Sequence, residues 1–341
     1  MKKIIFGILG TIFVLIIGII VAAGLYINSL LDDVIVDNSD DVKEEVDLNI
    51  NENLKESDVV NMALFGVDCR VEGFSGCRSD VMMIVSYNPD ADDVTVTSVV
   101  RDTFTDIEGY GTDKINHAYA FGGPDLAVQT LNKTFDLNIE HYVTVDFFAV
   151  EKIIDSLGGV KVNVSDAEVP HVNQYLKELN NVATDGEYSS NLTSSGEQVL
   201  DGRQAVAYMR IRYVGDGDFE RMERQRKVMD AALSNLTEAS LPELLTMVEE
   251  LVPSVETNMP KSKMISLVTD VVFNGIPTMT QSQIPTRDGG IGTTINGIYY
   301  FVPNTLLENN ILLHDLIYPK ETYEPSEDVE ALSSKLKGYL Y

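Results

Sequence analysis

The chain has 341 residues, which allows about two domains of ordinary size or one large domain with additional segments. It carries 53 acidic and 25 basic residues, so its formal net charge is −28. Nucleic-acid binding depends on Lys and Arg neutralising phosphates, and this charge therefore argues against a nucleic-acid partner. Two cysteines exclude a disulfide-rich scaffold, and the four histidines are not spaced as zinc ligands on a helix.

An uncharged stretch of 24 residues, 4–27, lies near the N-terminus after Lys2 and Lys3 and before a pair of aspartates. It is long enough to cross a bilayer core of about 30 Å as a helix. The charge difference across it predicts that residues 1–3 are cytoplasmic and that the rest of the chain lies outside the cell membrane. A cleaved signal peptide is the alternative, but its apolar region is usually about 7–15 residues, so we predict an uncleaved single-pass anchor.

Residues 28–58 are rich in Asp and Glu, which is typical of a solvated, self-repelling linker that can still hold a short helix or strand. The apolar patterns begin near Val59 and continue without a clear break. We therefore predict one large extracytoplasmic domain over 59–318, followed by a polar C-terminal tail over 319–341.

Strands are predicted where apolar and β-branched residues run or alternate between turn residues, at 59–68, 80–88, 92–102, 141–147 and 160–166. Helices are predicted where apolar residues recur with helical spacing, at 122–135, 148–159, 218–236 and 240–275. Residues 170–196 read as an irregular insertion or lid, 197–212 as a helix running into a strand, and 284–303 as a hairpin. The alternation of strands and helices predicts an α/β fold whose central mixed sheet is flanked by helices, preceded by one transmembrane helix.

Two aspartates lie at the ends of neighbouring predicted strands. Asp68 ends the first strand and Asp80 begins the second, with a loop of 11 residues between them. If these strands are antiparallel, both carboxylates reach the same edge of the sheet. Two carboxylates suit Mg²⁺, which takes few protein ligands and favours phosphate oxygens. The alternative is that both aspartates are ordinary turn residues.

Arg101 and Asp102 close the third predicted strand. A turn at 88–90 joins that strand to the one beginning at Asp80, so residues 80 and 101 return to the same side of the sheet. Together with Arg78 this gathers charges of both signs at one edge. The alternative is a surface ion pair, which contributes little to stability.

A concentration of arginine follows later in the chain. Six of the arginines fall in one stretch: Arg203, Arg210, Arg212, Arg221, Arg224 and Arg226. In so acidic a protein this concentration indicates anion binding, and the alternative is a basic helix that pairs with neighbouring glutamates. The segment 208–212 alternates like a strand, which directs Arg210 and Arg212 to one face, where they repel each other unless an anion lies between them.

The helix predicted over 218–236 brings Arg221 and Gln225 to one face. Arg221 lies in the first turn, where the helix dipole already favours anions, so a cation there makes sense beside a bound phosphate. The alternative is that Arg221 pairs with Asp216 or with Asp218, the predicted N-cap.

These motifs together resemble the LytR-CpsA-Psr family. They occur in the family's order between about residues 60 and 235, at 66–70, 78–83, 100–103, 113–119, 121–123, 155–160, 200–205, 208–212, 218–221 and 224–226. The chain departs from the family pattern at Val100, where proline is usual, and at Glu220, where glycine is usual.

The resemblance implies a phosphotransferase that moves a glycan polymer from a polyprenyl diphosphate carrier onto peptidoglycan through a phosphodiester, typically at the 6-hydroxyl of N-acetylmuramic acid. Matched by motif, Asp68 and Asp80 would hold Mg²⁺ as the cofactor. The residues implied to contact the diphosphate are Arg78, Arg101, Arg210, Arg212, Arg221 and Gln225. Phosphoryl transfer needs mainly positioning and charge neutralisation, which agrees with this set.

Two roles stay open at the level of the sequence. Asp102 or Asp218 could accept the proton of the attacking hydroxyl or could simply orient the arginines, and we favour orientation. The same motif residues would also serve a non-catalytic protein that binds a lipid diphosphate or wall glycan, or a lipid diphosphatase that uses water as the acceptor. The motifs do not specify which glycopolymer is transferred.

The two cysteines are predicted to form a disulfide. Cys69 and Cys77 both lie outside the membrane if the anchor is oriented as predicted, where thiols are not kept reduced. Closing so short a ring would stabilise the fold by about 2.6 kcal/mol before any strain is subtracted. Because Cys69 follows Asp68 and Cys77 precedes Asp80, the bond would fix the two proposed metal ligands relative to each other. The alternative is two buried free thiols.

Overall fold

The computed structural model describes residues 35–36, 47–54, 57–67, 76–91, 93–183, 187–215, 217–238, 255–260, 262–264, 266–267, 278–320 and 322–340. The predicted anchor at 4–27, Asp68, Cys69 and most of the predicted helical stretch at 240–275 lie outside these residues. None of the helices described here has both the length and the apolar character to cross a bilayer.

Strands and helices alternate in the middle of the described chain, from His117 to Met209, and runs of successive strands precede and follow that part. The strands are β1 (Ile35–Val36), β2 (Val60–Val67), β3 (Ser79–Asn88), β4 (Asp93–Val99), β5 (Phe104–Ile107), β6 (Gly111–Lys114), β7 (His141–Asp146), β8 (Val160–Val164), β9 (Gly196–Leu200), β10 (Val255–Thr257), β11 (Thr278–Ile284), β12 (Gly290–Ile295) and β13 (Ile298–Pro303). The helices are α1 (His117–Phe135), α2 (Phe147–Ser156), α3 (Val169–Val182), α4 (Gly202–Met209), α5 (Asp218–Glu238), α6 (Leu306–Ile317) and α7 (Glu327–Lys337).

The chain divides into two compact units. The sheet unit is formed from residues within 35–146, 256–260 and 277–341, and the helical unit from residues within 147–255 and 261–276. The domain boundaries expected from the sequence stay predictions.

The sheet unit contains a seven-stranded mixed sheet with the order β1-β10-β7-β2-β3-β4-β11. Strands β2, β3 and β4 form an antiparallel meander, while β7 pairs with β2 and β11 pairs with β4 in parallel. The core of this unit includes residues of the sheet and of α1, α6 and α7. The predicted α/β class with a mixed sheet is therefore confirmed, as are the hairpin at 284–303 and the strands from 59 to 102.

The helical unit has its own core, built from α2, α3, α4, α5 and the β8–β9 pair. Residues 170–196, expected to be irregular, contain most of α3. Its Val172, Leu176 and Leu179 are buried at helical spacing, and this short apolar stripe is hard to see among the surrounding polar residues.

The order of strand and helix in 197–212 is the reverse of the prediction. The strand β9 comes first, and α4 begins after Asp201, whose side chain accepts from the Gln204 N–H at 2.8 Å while the Gln204 side chain accepts from the Asp201 N–H at 3.0 Å. This capping box starts a helix, so the local alternation at 208–212 does not form a strand. Arg210 caps the C-terminus of α4 instead.

Helix α1 begins at His117, earlier than the predicted start at residue 122. Gly122 and Gly123 interrupt it with non-helical dihedral angles, and Pro124 opens its second section. The predicted helix at 122–135 is thus the second section of a longer, kinked helix.

The expected polar tail at 319–341 carries α7. Ser326 caps this helix, and Val329, Leu332 and Leu336 are buried in the core of the sheet unit. Their spacing puts them on one face, so the many charged residues of this segment lie on the other side of the helix.

The end of the predicted acidic linker also packs into the sheet unit. Leu54 is 6% exposed and belongs to the core. The Asn51 N–H donates to the Leu137 carbonyl at 3.0 Å, and the Asn132 amide donates to the Leu48 carbonyl at 2.9 Å. The folded part of the chain therefore begins before Val59.

We expect Leu54→Ala to lower the free energy of unfolding by about 2–5 kcal/mol, because it removes a buried leucine side chain and leaves a cavity. Urea denaturation followed by circular dichroism measures this loss. Asn53→Ala, at an exposed neighbouring position, is the matched control and should change stability little. Equal stability of the two variants would show that 47–54 is not part of the core.

Candidate functional site

The antiparallel β3–β4 hairpin brings Asp80 beside Arg101 in the sheet unit. Its register pairs Met83 with Ser98, and continuing it by three residues places Asp80 opposite Arg101. The Arg101 Nη1 donates to the Asp80 Oδ1 at 2.5 Å, and both side chains are largely buried. A charge-assisted hydrogen bond of this kind fixes the direction of the guanidinium.

Asp102 follows Arg101 and is 6% exposed. Its Oδ1 accepts from the Lys114 Nζ at 2.7 Å, and its Oδ2 lies 3.9 Å from the Arg101 Nε. A cation therefore lies near each oxygen of this carboxylate. The sequence prediction gives Lys114 no role, although this residue lies in a family motif. The pairing of Phe104 with Lys114 between β5 and β6 brings the lysine beside Asp102.

The predicted magnesium ligands are described only in part, because Asp68 lies outside the described residues. Over the residues that the structure does describe, no group of three or more His, Cys, Asp or Glu side chains is arranged to hold a metal ion. Asp80 offers carboxylate oxygens, which are the ligands that Mg²⁺ prefers, so the chemistry of this side chain fits a magnesium ion.

Arg78 and Cys77 lie just before β3. The Arg78 side chain is exposed. Cys77 is buried and disulfide-bonded. Its predicted partner, Cys69, lies outside the described residues, so the pairing stays a prediction.

Two arginines of the predicted anion-binding stretch are engaged inside the helical unit. The buried Arg203 Nε lies 3.2 Å from the Glu151 Oε2. The buried Arg224 Nε donates to the Glu168 Oε1 at 2.7 Å. For these two residues the alternative interpretation, pairing with glutamate, is the one that the structure supports.

Arg224 also fixes the segment that carries Arg212. Its guanidinium donates to the carbonyls of Ile211 at 3.3 Å and Val214 at 2.8 Å. Because these carbonyls lie on either side of Arg212 in the chain, Arg224 fixes the backbone from which that side chain extends. Arg224 thus acts as a positioning residue.

Arg210 lies beside two aromatic rings. Its guanidinium carbon is 5.8 Å from the ring centre of Phe147 and 5.6 Å from that of Tyr175. Burial raises the pKa of the Tyr175 hydroxyl, while the charges of Arg212 and Arg210 act to lower it. Both arginines are therefore near enough to Tyr175 to act on it electrostatically.

Helix α5 carries the remaining predicted residues of the helical unit. Arg221 and Gln225 are both buried, at 2% and 4% exposure, one helical turn apart. Asp218 is the first residue of the helix, and its side chain lies outside the described atoms. Arg226 is half-buried, and burial lowers the pKa of its guanidinium.

Comparison with known proteins places these motifs in a family. The LytR_cpsA_psr family model matches residues 24–313. The polyisoprenyl-teichoic acid–peptidoglycan teichoic acid transferase TagU of Oceanobacillus iheyensis is 37% identical over 263 residues, covering 74% of each chain. The TagU protein of Bacillus cereus is 33% identical over 330 residues, covering 92% of this chain and 98% of its own.

A solved structure shares the fold. The LytR-CPS2A-psr family protein YwtF (TagT) of Bacillus subtilis, with bound octaprenyl pyrophosphate lipid, superposes with a TM-score of 0.54 at 26% identity. The match covers 75% of this chain and 89% of that one.

The Glu168–Arg224 pair predicts a pH dependence of stability. Burial alone would raise the pKa of the Glu168 carboxyl, but hydrogen bonds from the Ser165 N–H, the Arg224 guanidinium and the Ser165 hydroxyl lower it below its ordinary value of 4.5. A carboxyl with a lowered pKa in the folded state stabilises the fold above its unfolded-state pKa, and this contribution is lost as the pH falls through the folded-state value.

We therefore expect Glu168→Ala to lower the free energy of unfolding at pH 7 by about 3–5 kcal/mol, because it leaves the Arg224 charge buried without its carboxylate. Thermal unfolding between pH 7 and pH 3 should show a smaller acid-induced loss in Glu168→Gln than in the wild type. Lys161 and Glu197 form an exposed pair, so Glu197→Gln is the control. An unchanged acid profile in Glu168→Gln would contradict the assignment.

Proposed function

The chain belongs to the LytR-CpsA-Psr family, and on that basis we propose that it transfers a glycopolymer of the teichoic acid type from a polyprenyl diphosphate carrier to peptidoglycan. The observation that carries the proposal is the Arg101 guanidinium held against Asp80, where β3 begins and β4 has just ended. The chain that shows this pair is 37% identical to a protein named as this transferase. The resemblance seen in the sequence motifs is confirmed at the level of the family.

The proposed reaction breaks the phosphoanhydride bond of the carrier diphosphate and forms a phosphoester bond to the acceptor. The hydroxyl oxygen of an acceptor sugar, the 6-hydroxyl of N-acetylmuramic acid, attacks the phosphorus nearer the glycan. The bond from that phosphorus to the bridging oxygen breaks, and the electron pair leaves on a polyprenyl phosphate. The glycan stays on the attacked phosphorus as a phosphodiester, and the hydroxyl proton is released to a base or to water.

The arginines neutralise the charge that moves between these oxygens. Arg101 is held in a fixed direction by Asp80, so its guanidinium is preorganised for a phosphate oxygen and needs no reorientation during the reaction. A guanidinium fork also binds phosphate through two parallel hydrogen bonds. We assign diphosphate contacts to Arg78 and Arg101 in the sheet unit.

The same class of contact is proposed for residues of the helical unit on the basis of their motifs. They are Arg210, Arg212, Arg221 and Gln225. Arg224 supports them by fixing the backbone around Arg212.

Asp68 and Asp80 are the residues that would hold Mg²⁺. When bound, the ion would neutralise charge on the diphosphate oxygens. Asp80 has a second task in this proposal, because its carboxylate also orients Arg101.

Asp102 is proposed to orient Arg101 and not to serve as the base. Its two oxygens already lie near Lys114 and Arg101, so the carboxylate is engaged with two cations. Asp218 remains the other candidate for accepting the hydroxyl proton.

We further propose that residues 4–27 anchor the protein in the cell membrane and that the catalytic part lies outside the cell. The length and lack of charge of this stretch and the lysines before it support the proposal. Cys69 and Cys77 would then meet an oxidising environment, which agrees with the disulfide-bonded state of Cys77.

Incubating the purified full chain with a polyprenyl diphosphate-linked glycan and peptidoglycan oligomers tests the function. Mass spectrometry should find a glycan joined to the oligomer by a phosphodiester, together with polyprenyl phosphate. Release of a free glycan phosphate in the presence of the acceptor would identify a diphosphatase. Binding of the donor without turnover would identify a non-catalytic protein.

Arg101→Ala should lower the transfer rate by about 10²–10³, since it removes a preorganised group that stabilises developing charge. The initial rate of phosphodiester formation measures the effect. Arg287, an exposed arginine of the same unit, provides the control variant Arg287→Ala, which should transfer at the wild-type rate. Activity of Arg101→Ala within about threefold of the wild type would remove Arg101 from the site.

Removal of divalent ions with EDTA should stop transfer, and Mg²⁺ should restore it. Asp68→Ala and Asp80→Ala should each raise the Mg²⁺ concentration needed for half-maximal rate, because each removes a proposed ligand. Titration of the rate with Mg²⁺ measures this shift. Full activity after exhaustive chelation would show that the metal assignment is wrong.

A further inference from the structure

The sheet unit carries two stacked rings that remain exposed to solvent. Tyr110 and Phe121 stack with their centroids 4.5 Å apart and their planes 13° from parallel. Despite this contact, Tyr110 is 56% and Phe121 39% exposed. Because burial of aromatic surface is favourable, an open pair of rings is a ready binding surface. We propose that this pair, the aromatic platform, binds a sugar ring of the acceptor glycan strand, an inference that rests on the proposed function.

The turn between β5 and β6 holds Tyr110 in place. Gly109 and Gly111 flank it with φ angles of 76° and 80°, a region that glycine adopts without strain. The Tyr110 N–H donates to the Ile107 carbonyl at 3.0 Å, and its hydroxyl donates to the Phe121 carbonyl at 3.2 Å. The ring is thus fixed at both ends before any ligand arrives, which reduces the entropy lost on binding.

The kink in α1 holds Phe121. The helix is interrupted directly after this residue by Gly122 and Gly123. A Cβ atom at Gly122 would lie only 2.7 Å from the Leu126 side chain, so this close approach requires glycine. His117, one turn earlier, contacts the Phe121 ring edge-on at 5.8 Å between centroids. The sequence of the helix start therefore places the ring at the surface and limits its motion.

A backbone hydrogen bond joins Arg101 to the start of the helix that carries Phe121. The Asn116 N–H donates to the Arg101 carbonyl at 3.3 Å, and α1 begins at the next residue. Phe121 follows Asn116 by five residues, which corresponds to about 7.5 Å along a helix axis. This distance is comparable to the length of a short stretch of glycan, so the platform lies close enough along the fold to serve the same acceptor strand as the Arg101–Asp102 segment.

Polar groups at the platform suit a sugar. The Asp113 Oδ2 lies 2.9 Å from the His117 Nδ1, and this pair adjoins the Phe121 ring. One face of a pyranose ring carries C–H groups that stack on aromatic rings, while its hydroxyl groups seek polar partners of this kind. The platform and the Asp113–His117 pair supply both types of contact.

The charge of the protein favours the acceptor glycan strand as the ligand of the platform over the donor polymer and over a lipid surface. Glu108 lies in the same turn as Tyr110, and its carboxylate pairs with the Lys133 Nζ at 2.9 Å, so the turn itself carries no excess positive charge to attract a phosphate. The net charge of −28 on the whole chain opposes a phosphate-rich donor polymer and an anionic lipid surface. A peptidoglycan strand offers sugar rings without phosphates.

Steady-state kinetics of the full chain test the platform. The double variant Tyr110→Ala/Phe121→Ala should raise the KM for soluble peptidoglycan strands about tenfold, with the KM for the donor and kcat unchanged. Tyr110→Phe and Phe121→Tyr keep both rings and should keep the acceptor KM within about twofold. Tyr188→Ala, which removes a tyrosine that is 72% exposed in the helical unit, is the matched control.

The chain contains no tryptophan, so Phe121→Trp creates a single fluorescent reporter in the platform. Its emission should shift to shorter wavelength and saturate as soluble peptidoglycan strands are added. The soluble donor analogue and vesicles of phosphatidylglycerol are the comparison ligands, and neither should produce the shift.

A wild-type acceptor KM in the double variant, or a reporter that responds to the donor or to vesicles instead of the strands, would overturn the proposal. The two proposals fail separately. If the wild type forms no phosphodiester while the reporter still responds to strands, the transferase function is wrong and the platform stands. If transfer occurs and the strands leave the reporter unchanged, the platform is wrong.

Discussion

The antiparallel register between β3 and β4 is the constraint on which the candidate site of the sheet unit depends. Backbone hydrogen bonds fix it by pairing Met83 with Ser98. Continuing this register by three residues sets Asp80 opposite Arg101, and the two side chains form a short ion pair. A slip of one residue would turn every side chain of the strand to the opposite face. The register thus gives the Arg101 guanidinium both its position and its direction.

The arginines of the helical unit divide into two groups by what they contact. Arg203 and Arg224 are buried against Glu151 and Glu168, and their charges are balanced inside the fold. Burying such pairs is costly, and the cost is offset only when further hydrogen bonds satisfy the remaining groups. Arg224 meets this condition through two backbone carbonyls.

Arg210 belongs to the second group. It ends a helix beside the rings of Phe147 and Tyr175, and the face of an aromatic ring attracts a guanidinium. The two groups thus differ in what lies against the guanidinium: a carboxylate for Arg203 and Arg224, and aromatic rings for Arg210.

The negative net charge of the chain limits the ways in which it can recognise its proposed ligands. Because the net charge is −28, the protein surface does not attract polyanions non-specifically. Recognition of a diphosphate must then come from a few guanidinium groups held in fixed directions. Recognition of an acceptor sugar can come from ring stacking, which does not depend on the net charge of the protein.

The sequence by itself determined the fold class, the family and much of the sheet. The strands at β2, β3 and β4 follow from their apolar and β-branched runs, and the turn at 88–90 correctly joins two of them. From these local features alone, residues 80 and 101 could be placed at one edge. The roles proposed for Asp80, Arg101 and the other motif residues rest on the family resemblance.

Only the tertiary structure decided which distant side chains meet. The capping box at Asp201 that starts α4 is a local signal in the sequence, whereas the buried stripe of α3 becomes visible only against the core it packs on. The Lys114–Asp102 pair and the Tyr110–Phe121 stack join separate elements, whose approach depends on the packing of the whole unit. Local patterns set local conformation because they act through neighbouring residues, whereas these contacts arise from how the finished elements fit together.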